Sequence, residues 1–329
     1  MIAITGANGL LGSFIVQRLL ADKIPLMGIK RADSDLTLVK TIQAELTWQD
    51  ADVLDPIGLT AAFRGVDTVI HAAGLVSFNT SRRDELFLVN TEGTRNVVNA
   101  CIASGVKRLI YISSIAALGR QKGTSQLDEE TKWEESSLNS HYAKSKYLAE
   151  LEVFRGQEEG LEVSIVNPSV ILAPADWEKS SAQLFKYIWK GQKFYTHGYM
   201  NVVDVRDVAE SVVRLLSYPK SGERFIISGG KVEFIDLFRK IAQRFHKPAP
   251  TIRVSTALAG MAAWLEEKRA FLMGYEPLVT RQSVKMTRGD FTYSNQKSIQ
   301  ELGLRYQTLE NTLDWCCSEF LERYTTNKD

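Results

Sequence analysis

The sequence predicts an α/β protein built on a doubly wound parallel sheet, with a smaller, mostly C-terminal lobe beside it. Three observations carry this expectation. Short continuous apolar runs alternate with helical periods through the first two-thirds of the chain, the pattern of strands buried on both faces under covering helices. Each helix separates two strands that must therefore run parallel, and right-handed crossovers wind such a sheet on both sides. The first run, MIAIT, leads straight into TGANGLLG, a turn with Gly6, Gly9 and Gly12 at every third position that opens a helix.

Taken in order, the strand-like runs are MIAIT, IPLMGIK, LTWQDADV, VDTVIHAAG, VKRLIYISS, LEVSIVNPS and ERFIISG, with LLGSFIVQRLLADK, PIGLTAAFRG, LFLVNTEGTRNVVNACIASG and HYAKSKYLAELEVFRGQEEG as helical patterns between them. The first turn matters most. Gly6 provides a sharp exit from the strand, because glycine adopts positive φ freely. Gly9 lets backbone approach a pyrophosphate, and Gly12 lets the helix pack closely. The helix N-terminus then presents free N–H groups and a partial positive charge to phosphate. Thr5, Gly6, Asn8, Gly9, Leu10, Leu11 and Gly12 are accordingly expected to line a dinucleotide, as in a Rossmann sheet.

The second strand ends in Lys30 and Arg31 with no carboxylate before Asp33. A basic group there accepts a 2′-phosphate, whereas an acidic one binds a ribose hydroxyl. NADP(H) is therefore favoured, with NAD(H) still compatible. After the third strand, Asp52 and Val53 are placed to meet an adenine edge, Asp52 being equally suited to forming a turn. Ser113 and Ser114 end the fifth strand at the carboxyl edge of the sheet, where open α/β folds bind ligands. A serine there donates to a carbonyl oxygen as negative charge develops on it.

Tyr142 and Lys146 lie four residues apart and share one helix face. A phenol ordinarily loses its proton near pH 10, and an ammonium nearby favours the phenolate, bringing proton transfer towards neutral pH.

These elements together resemble the extended branch of the short-chain dehydrogenase/reductase superfamily, the NAD(P)-dependent epimerase/dehydratase type. TGANGLLG is similar to its TGxxGxxG motif, VIHAAG to its strand motif beside the cofactor, VNTEGTRNVV to its VNxxGTxN helix, YAKSK to its YxxxK and NVVDVRDVA to its HVxDVA segment. The resemblance spans nearly the whole chain, more loosely after Pro168. It implies Tyr142 as general acid/base, Lys146 as its partner, Ser114 as the carbonyl-orienting hydroxyl and Asn90 as an asparagine holding a water near the lysine. It also implies cofactor contacts from His71, Ala72, Ala73, Gly74, Pro168, Ser169 and Val170, with His71 itself read as packing. LDEETKW is similar to the DExxW element of dihydroflavonol reductases and cinnamoyl-CoA reductases, with one extra residue before Trp133. Two departures stand out: Ala173 replaces a glycine, and Asn201 or Val202 replaces a histidine.

The dinucleotide-binding part is expected at residues 1–167, completed by 201–230, and the substrate lobe at 168–200 and 231–329. The lobe is rich in aromatics, among them Trp177, Phe185, Tyr187, Trp189, Phe194, Tyr195, Tyr199, Trp264, Phe271 and Tyr275, which suit an apolar pocket or a plain core. The expected function is reduction of a ketone or aldehyde by NADPH, reversible as an alcohol dehydrogenase. The alternatives are a sugar-nucleotide epimerase or dehydratase retaining NAD, and a non-catalytic NADP-binding regulator. A net charge of +1 gives no field for nucleic acid. The apolar stretch at 257–265 is too short to span a bilayer, and the four scattered histidines lack zinc spacing. Three cysteines and a first strand starting at Met1 suggest a cytoplasmic protein. A homodimer through the catalytic helix and its neighbour is compatible with the resemblance.

Overall fold

A computed structural model describes the chain except residues 121–122, 124, 177–179, 274–276, 278–279, 287–288 and 326–329. Trp177 and Tyr275 of the aromatic set lie outside the described residues, as does the Phe271 side chain. The main sheet is built from β1 (Ile2–Thr5), β2 (Leu26–Lys30), β3 (Thr47–Asp50), β4 (Thr68–His71), β5 (Arg108–Ile112), β6 (Glu162–Pro168) and β7 (Glu223–Ile227). Its spatial order is β3-β2-β1-β4-β5-β6-β7, and all neighbours are parallel. The order reverses between β1 and β4, the crevice where such sheets bind ligands.

Helices α1 (Leu10–Ala21), α2 (Pro56–Ala62), α3 (Gly93–Ala103), α4 (His141–Glu158) and α5 (Val205–Leu215) cover the sheet. One apolar cluster joins α1 and α5 to one face, through Ile15, Leu19, Val208 and Val212 against Ile4, Ile70 and Ile110. A second joins α2, α3 and α4 to the other, through Phe63, Val97, Val98 and Val153 against Val69, Leu109 and Ile165. The strands carry apolar side chains on both faces because both faces are covered. Asp55 caps α2 with its carboxylate on two N–H groups, and Pro56 occupies the first helical position.

Of the segment 201–230, expected to complete the main sheet, α5 and β7 do pack on and join it, whereas the strand Tyr199–Asp204 at its start pairs with Val170–Leu172 and Gly230–Glu233 in a separate three-stranded sheet. The chain turns away after Pro168. The Ser169 N–H still reaches Ile227 O, but Val170 already faces Val202. The aromatics of the lobe largely build its own core: Phe185 packs on Phe245 and Phe320, Tyr187 on Phe238 and Trp189 on Phe245, with ring centroids 5.0–6.4 Å apart. These rings are core side chains rather than pocket walls.

Candidate active site

Sterics at the glycine turn are tight. Gly6 has φ +68°, and a methyl group on it would sit 2.8 Å from the Ala73 backbone just beyond β4. A methyl on Gly12 would lie 2.0 Å from Gly6 O, so α1 starts directly against the turn rather than against the sheet. Gly9 caps α1 in extended conformation and leaves the first-turn N–H groups without a side-chain acceptor. That bare, positively polarised helix end fits a dinucleotide pyrophosphate. Asn8 Nδ2 donates to Asp35 O at 3.0 Å, pinning the loop after β2 onto the turn. Leu10 and Leu11 begin the helix, Leu11 buried against the sheet cluster.

Lys30 and Arg31 differ sharply in surroundings. Lys30 Nζ lies 2.6 Å from Asp50 Oδ1, so its charge is already matched, while Arg31 is exposed at the strand end. Asp52 Oδ1 accepts from Leu54 N at 2.9 Å, the geometry of a turn-former. Val53 packs against Gly93, where a methyl group would come within 2.9 Å of its Cγ2.

His71 is buried, with both ring nitrogens engaged. Thr94 Oγ1 donates its proton to Asn90 O at 2.6 Å, so at 3.1 Å it must accept from His71 Nε2. Nδ1 then accepts from Thr5 Oγ1 at 2.7 Å, and Thr5 Oγ1 in turn accepts from Ala73 N at 3.3 Å. Burial pushes the His71 pKa down to about 3, with Lys146 adding to the effect. The imidazole is a neutral strut between the glycine turn and α3, in line with its reading as packing.

Asn90 sits in a single π-helical turn, Leu88–Glu92, that leads into α3, a kind of bulge frequent at functional sites. Its amide brackets Leu75, accepting from Leu75 N at 2.7 Å and donating to Leu75 O at 2.9 Å, and it also donates to Ser145 Oγ at 3.0 Å. A methyl group on Gly74 would be 3.3 Å from Asn90 Oδ1 and 3.8 Å from Lys146 Nζ. The loop after β4 thus runs directly beside the lysine.

Ser140 caps α4 by accepting from Ala143 N, and this sets the helix whose face carries Tyr142 and Lys146. Both are buried. Burial pushes the Tyr142 phenol above its usual range, and the Ser114 hydroxyl facing it pulls the other way. The sequence reading expected Lys146 to depress the phenol. Instead Lys146 Nζ donates to Ile112 O at 2.8 Å and lies 4.5 Å from the Tyr111 ring centre. Burial brings the ammonium down to about 7, and Glu150 opposes that fall. Ser114, two residues beyond β5, caps the short turn that follows; it accepts from Ala116 N with its hydroxyl and from Asn167 Nδ2 with its carbonyl. Pro168, Ser169 and Val170 follow at the carboxyl end of β6.

Several residues that the sequence reading did not single out complete the surroundings. Phe78 packs edge-on against the Tyr142 ring at 5.8 Å. Glu150 and Asn167 lie beneath the pair, joined by a 2.6 Å hydrogen bond; the only sequence signal for Glu150 was its spacing of four from Lys146. Trp133 of LDEETKW stacks on Tyr147 of α4 at 4.5 Å and 8°, and Glu129 accepts from Ile226 N at 2.9 Å, so this element braces α4 against β7. Asn201, at the departure from HVxDVA, donates to Phe291 O at 2.9 Å. Among the described residues no helix is long and apolar enough to cross a membrane, and no cluster of His, Cys, Asp and Glu is suited to a metal.

Comparison with known proteins agrees with this geometry. The model of the "NAD dependent epimerase/dehydratase family" matches residues 2–228. The chain is 28% identical over 318 residues to the "Putative dihydroflavonol 4-reductase" of Synechocystis sp., covering 94% of this chain and 91% of that one. It is 29% identical over 268 residues to cinnamoyl-CoA reductase 1 of Oryza sativa subsp. japonica, covering 77% and 78%. The crystal structure of gox2253 superposes with a TM-score of 0.83 at 30% identity, over 98% of both chains. The chain belongs to the NAD-dependent epimerase/dehydratase family, the extended short-chain dehydrogenase/reductases, and is an NAD(P)-dependent oxidoreductase.

Proposed function

We propose that this protein reduces a ketone or aldehyde with NADPH, and oxidises the corresponding alcohol in reverse. One observation carries the reading: the Ser114 hydroxyl faces the Tyr142 phenol at the carboxyl end of β5, with Lys146 one helical turn further along α4. The residues of the glycine turn, the loop after β4 and Lys146 would hold the dinucleotide, which supplies the hydride when bound. Tyr142 gives its proton to the substrate oxygen in reduction and recovers it in oxidation. Ser114 donates a hydrogen bond to the same oxygen and steadies its developing charge. Lys146 lies beside the loop after β4, where a methyl group on Gly74 would be 3.8 Å from its Nζ, and would hold the dinucleotide there. Asn90 keeps the Leu75 backbone in place beside it.

NADPH is the preferred cofactor in this reading because Arg31 is exposed at the end of β2 while Lys30 is matched by Asp50. The reductases among the relatives support a carbonyl substrate carrying an apolar or aromatic group. A screen of aryl and alkyl aldehydes, ketones and their alcohols, followed by nicotinamide absorbance with each cofactor, tests the proposal. NADPH oxidation with at least one carbonyl class supports it. Tightly retained NAD in the purified protein, together with turnover of a sugar nucleotide, would replace it with the epimerase reading.

A further inference from the structure

Beneath the catalytic pair lies a buried carboxylate that the chemistry above does not use. Glu150 is 1% exposed, one turn beyond Lys146 on the same face of α4. Its Oε1 accepts from Asn167 Nδ2 at 2.6 Å, and the same Nδ2 donates to Ser114 O at 2.9 Å. On the other side, Arg224 Nη1 lies 3.3 Å from Glu150 Oε2. Arg224 is itself moored to β7's neighbour segment, with Nε on Glu129 O. The groups facing the carboxylate come from several elements: Lys146 from α4, Tyr111 from β5, Ser113 just beyond β5, Asn167 from β6 and Arg224 from β7. Burial of a lone carboxylate is costly; two cations and an amide offset that cost here.

We propose that Glu150 is a positioning residue for two members of the site: counter-ion to the buried Lys146 and, through Asn167, the anchor of the Ser114 backbone. Lys146 has Ile112 O as its hydrogen-bond acceptor, a neutral group, and Glu150, one helical turn further along the same face, is the carboxylate whose charge favours its ammonium; burial raises the pKa of that carboxyl, and Ser113, Arg224, Asn167 and Lys146 oppose the rise. Burial alone would drive that ammonium towards the neutral amine. Loss of the carboxylate leaves the lysine in place but more often uncharged. The consequence for turnover rests on the reductase reading; the effect on the lysine does not.

The test is the titration of Lys146 itself, followed by the ε-carbon signal in protein labelled with ¹³C-lysine, assigned with Lys146→Arg and recorded without cofactor. Glu150→Gln is expected to lower the Lys146 midpoint by at least about one unit, a tenfold loss of charged form at a given pH. Glu150→Asp, which keeps the charge, is expected to stay nearer the wild-type midpoint. An unchanged midpoint in Glu150→Gln overturns the proposal, and so does an equal drop in both variants. If the glutamine variant does not fold, a one-unit drop in Glu150→Asp overturns it and a retained midpoint supports it. In turnover, Glu150→Gln is expected to lose activity at a lower pH than wild type as pH rises, whereas a merely structural role would scale the whole profile. Wild-type turnover in Tyr142→Phe would sink the reductase reading and leave the lysine titration standing by its own result.

Discussion

Adding one methyl group at Gly12 and one at Gly9 separates folding from cofactor binding in the glycine turn. At Gly12 the new carbon would lie 2.0 Å from Gly6 O, 2.9 Å from Gly6 C and 3.0 Å from Ala7 Cα. Comfortable carbon–oxygen contact needs about 3.3 Å, so α1 must shift by more than about 1 Å against a backbone that has no room to yield. Overpacking of this kind costs about 3 kcal/mol. With an unfolding entropy of about 2.1 cal/mol/K per residue, the 329-residue chain would melt about 4 °C lower if it unfolds in one step. At Gly9 the backbone has an ordinary φ of −77° and the methyl meets Gly6 O at 3.2 Å, a contact relieved by a few tenths of an ångström. Gly9→Ala should therefore melt within about 1 °C of wild type yet bind NADPH and NADH at least about tenfold more weakly, because the methyl stands where the pyrophosphate must approach. Melting curves without cofactor and fluorescence titrations with both nucleotides measure the two effects. Wild-type affinity in Gly9→Ala would refute the assignment of this turn to the pyrophosphate, and an unchanged melting temperature in Gly12→Ala would refute the packing argument.

Two further predictions concern charge. Arg31→Ala removes a charge-assisted contact worth about 1.5–3 kcal/mol, so NADPH should bind about ten- to a hundredfold more weakly while NADH is nearly unaffected; equal weakening of both would show that Arg31 does not read the 2′-phosphate. Asp207 accepts from Gln307 N at 3.0 Å, and burial raises its pKa from 3.8 to about 7. The folded chain thus holds a proton between those values that the unfolded chain has lost, and stability falls as pH rises through that window. Asp207→Asn keeps the hydrogen bond without the charge and should be more stable than wild type at pH 8, on the order of 2–4 kcal/mol, with no advantage at pH 4. Equal denaturation midpoints at pH 8 would contradict this.

What the sequence showed plainly was local. The glycine turn, the Tyr142–Lys146 spacing and the strand-end serines are each set by a few adjacent residues, so their geometry follows from helix and turn periodicity. The sheet followed from the same kind of pattern, because apolar runs separated by helical periods can pair in few ways. Long-range pairing was hidden. Nothing in the run YMNVVD of residues 199–204 says which sheet it joins, and the strand went to Val170–Leu172 and Gly230–Glu233. The links from Glu150 to Asn167 and Arg224 cross 17 and 74 residues of sequence, and no spacing rule reaches that far. Likewise VIHAAG displayed a histidine, but only the fold brought Thr5 and Thr94 to its two nitrogens. The expected influence of Lys146 on the phenol failed for the same reason: burial of each group and the Ile112 carbonyl are tertiary facts. Aromatic enrichment after Pro168 was visible, whereas its division into core rings and exposed ones, such as Trp264, depended on how the lobe packs.

The most direct measurement is the turnover of Tyr142→Phe, with NADPH and whichever carbonyl the wild type reduces. The phenylalanine keeps the ring packed against Phe78 and removes only the hydroxyl that faces Ser114. NADPH affinity should stay within a few-fold of wild type while kcat falls by at least about a hundredfold. Turnover comparable to wild type would contradict the role of this phenol as the proton donor, and with it the reductase reading.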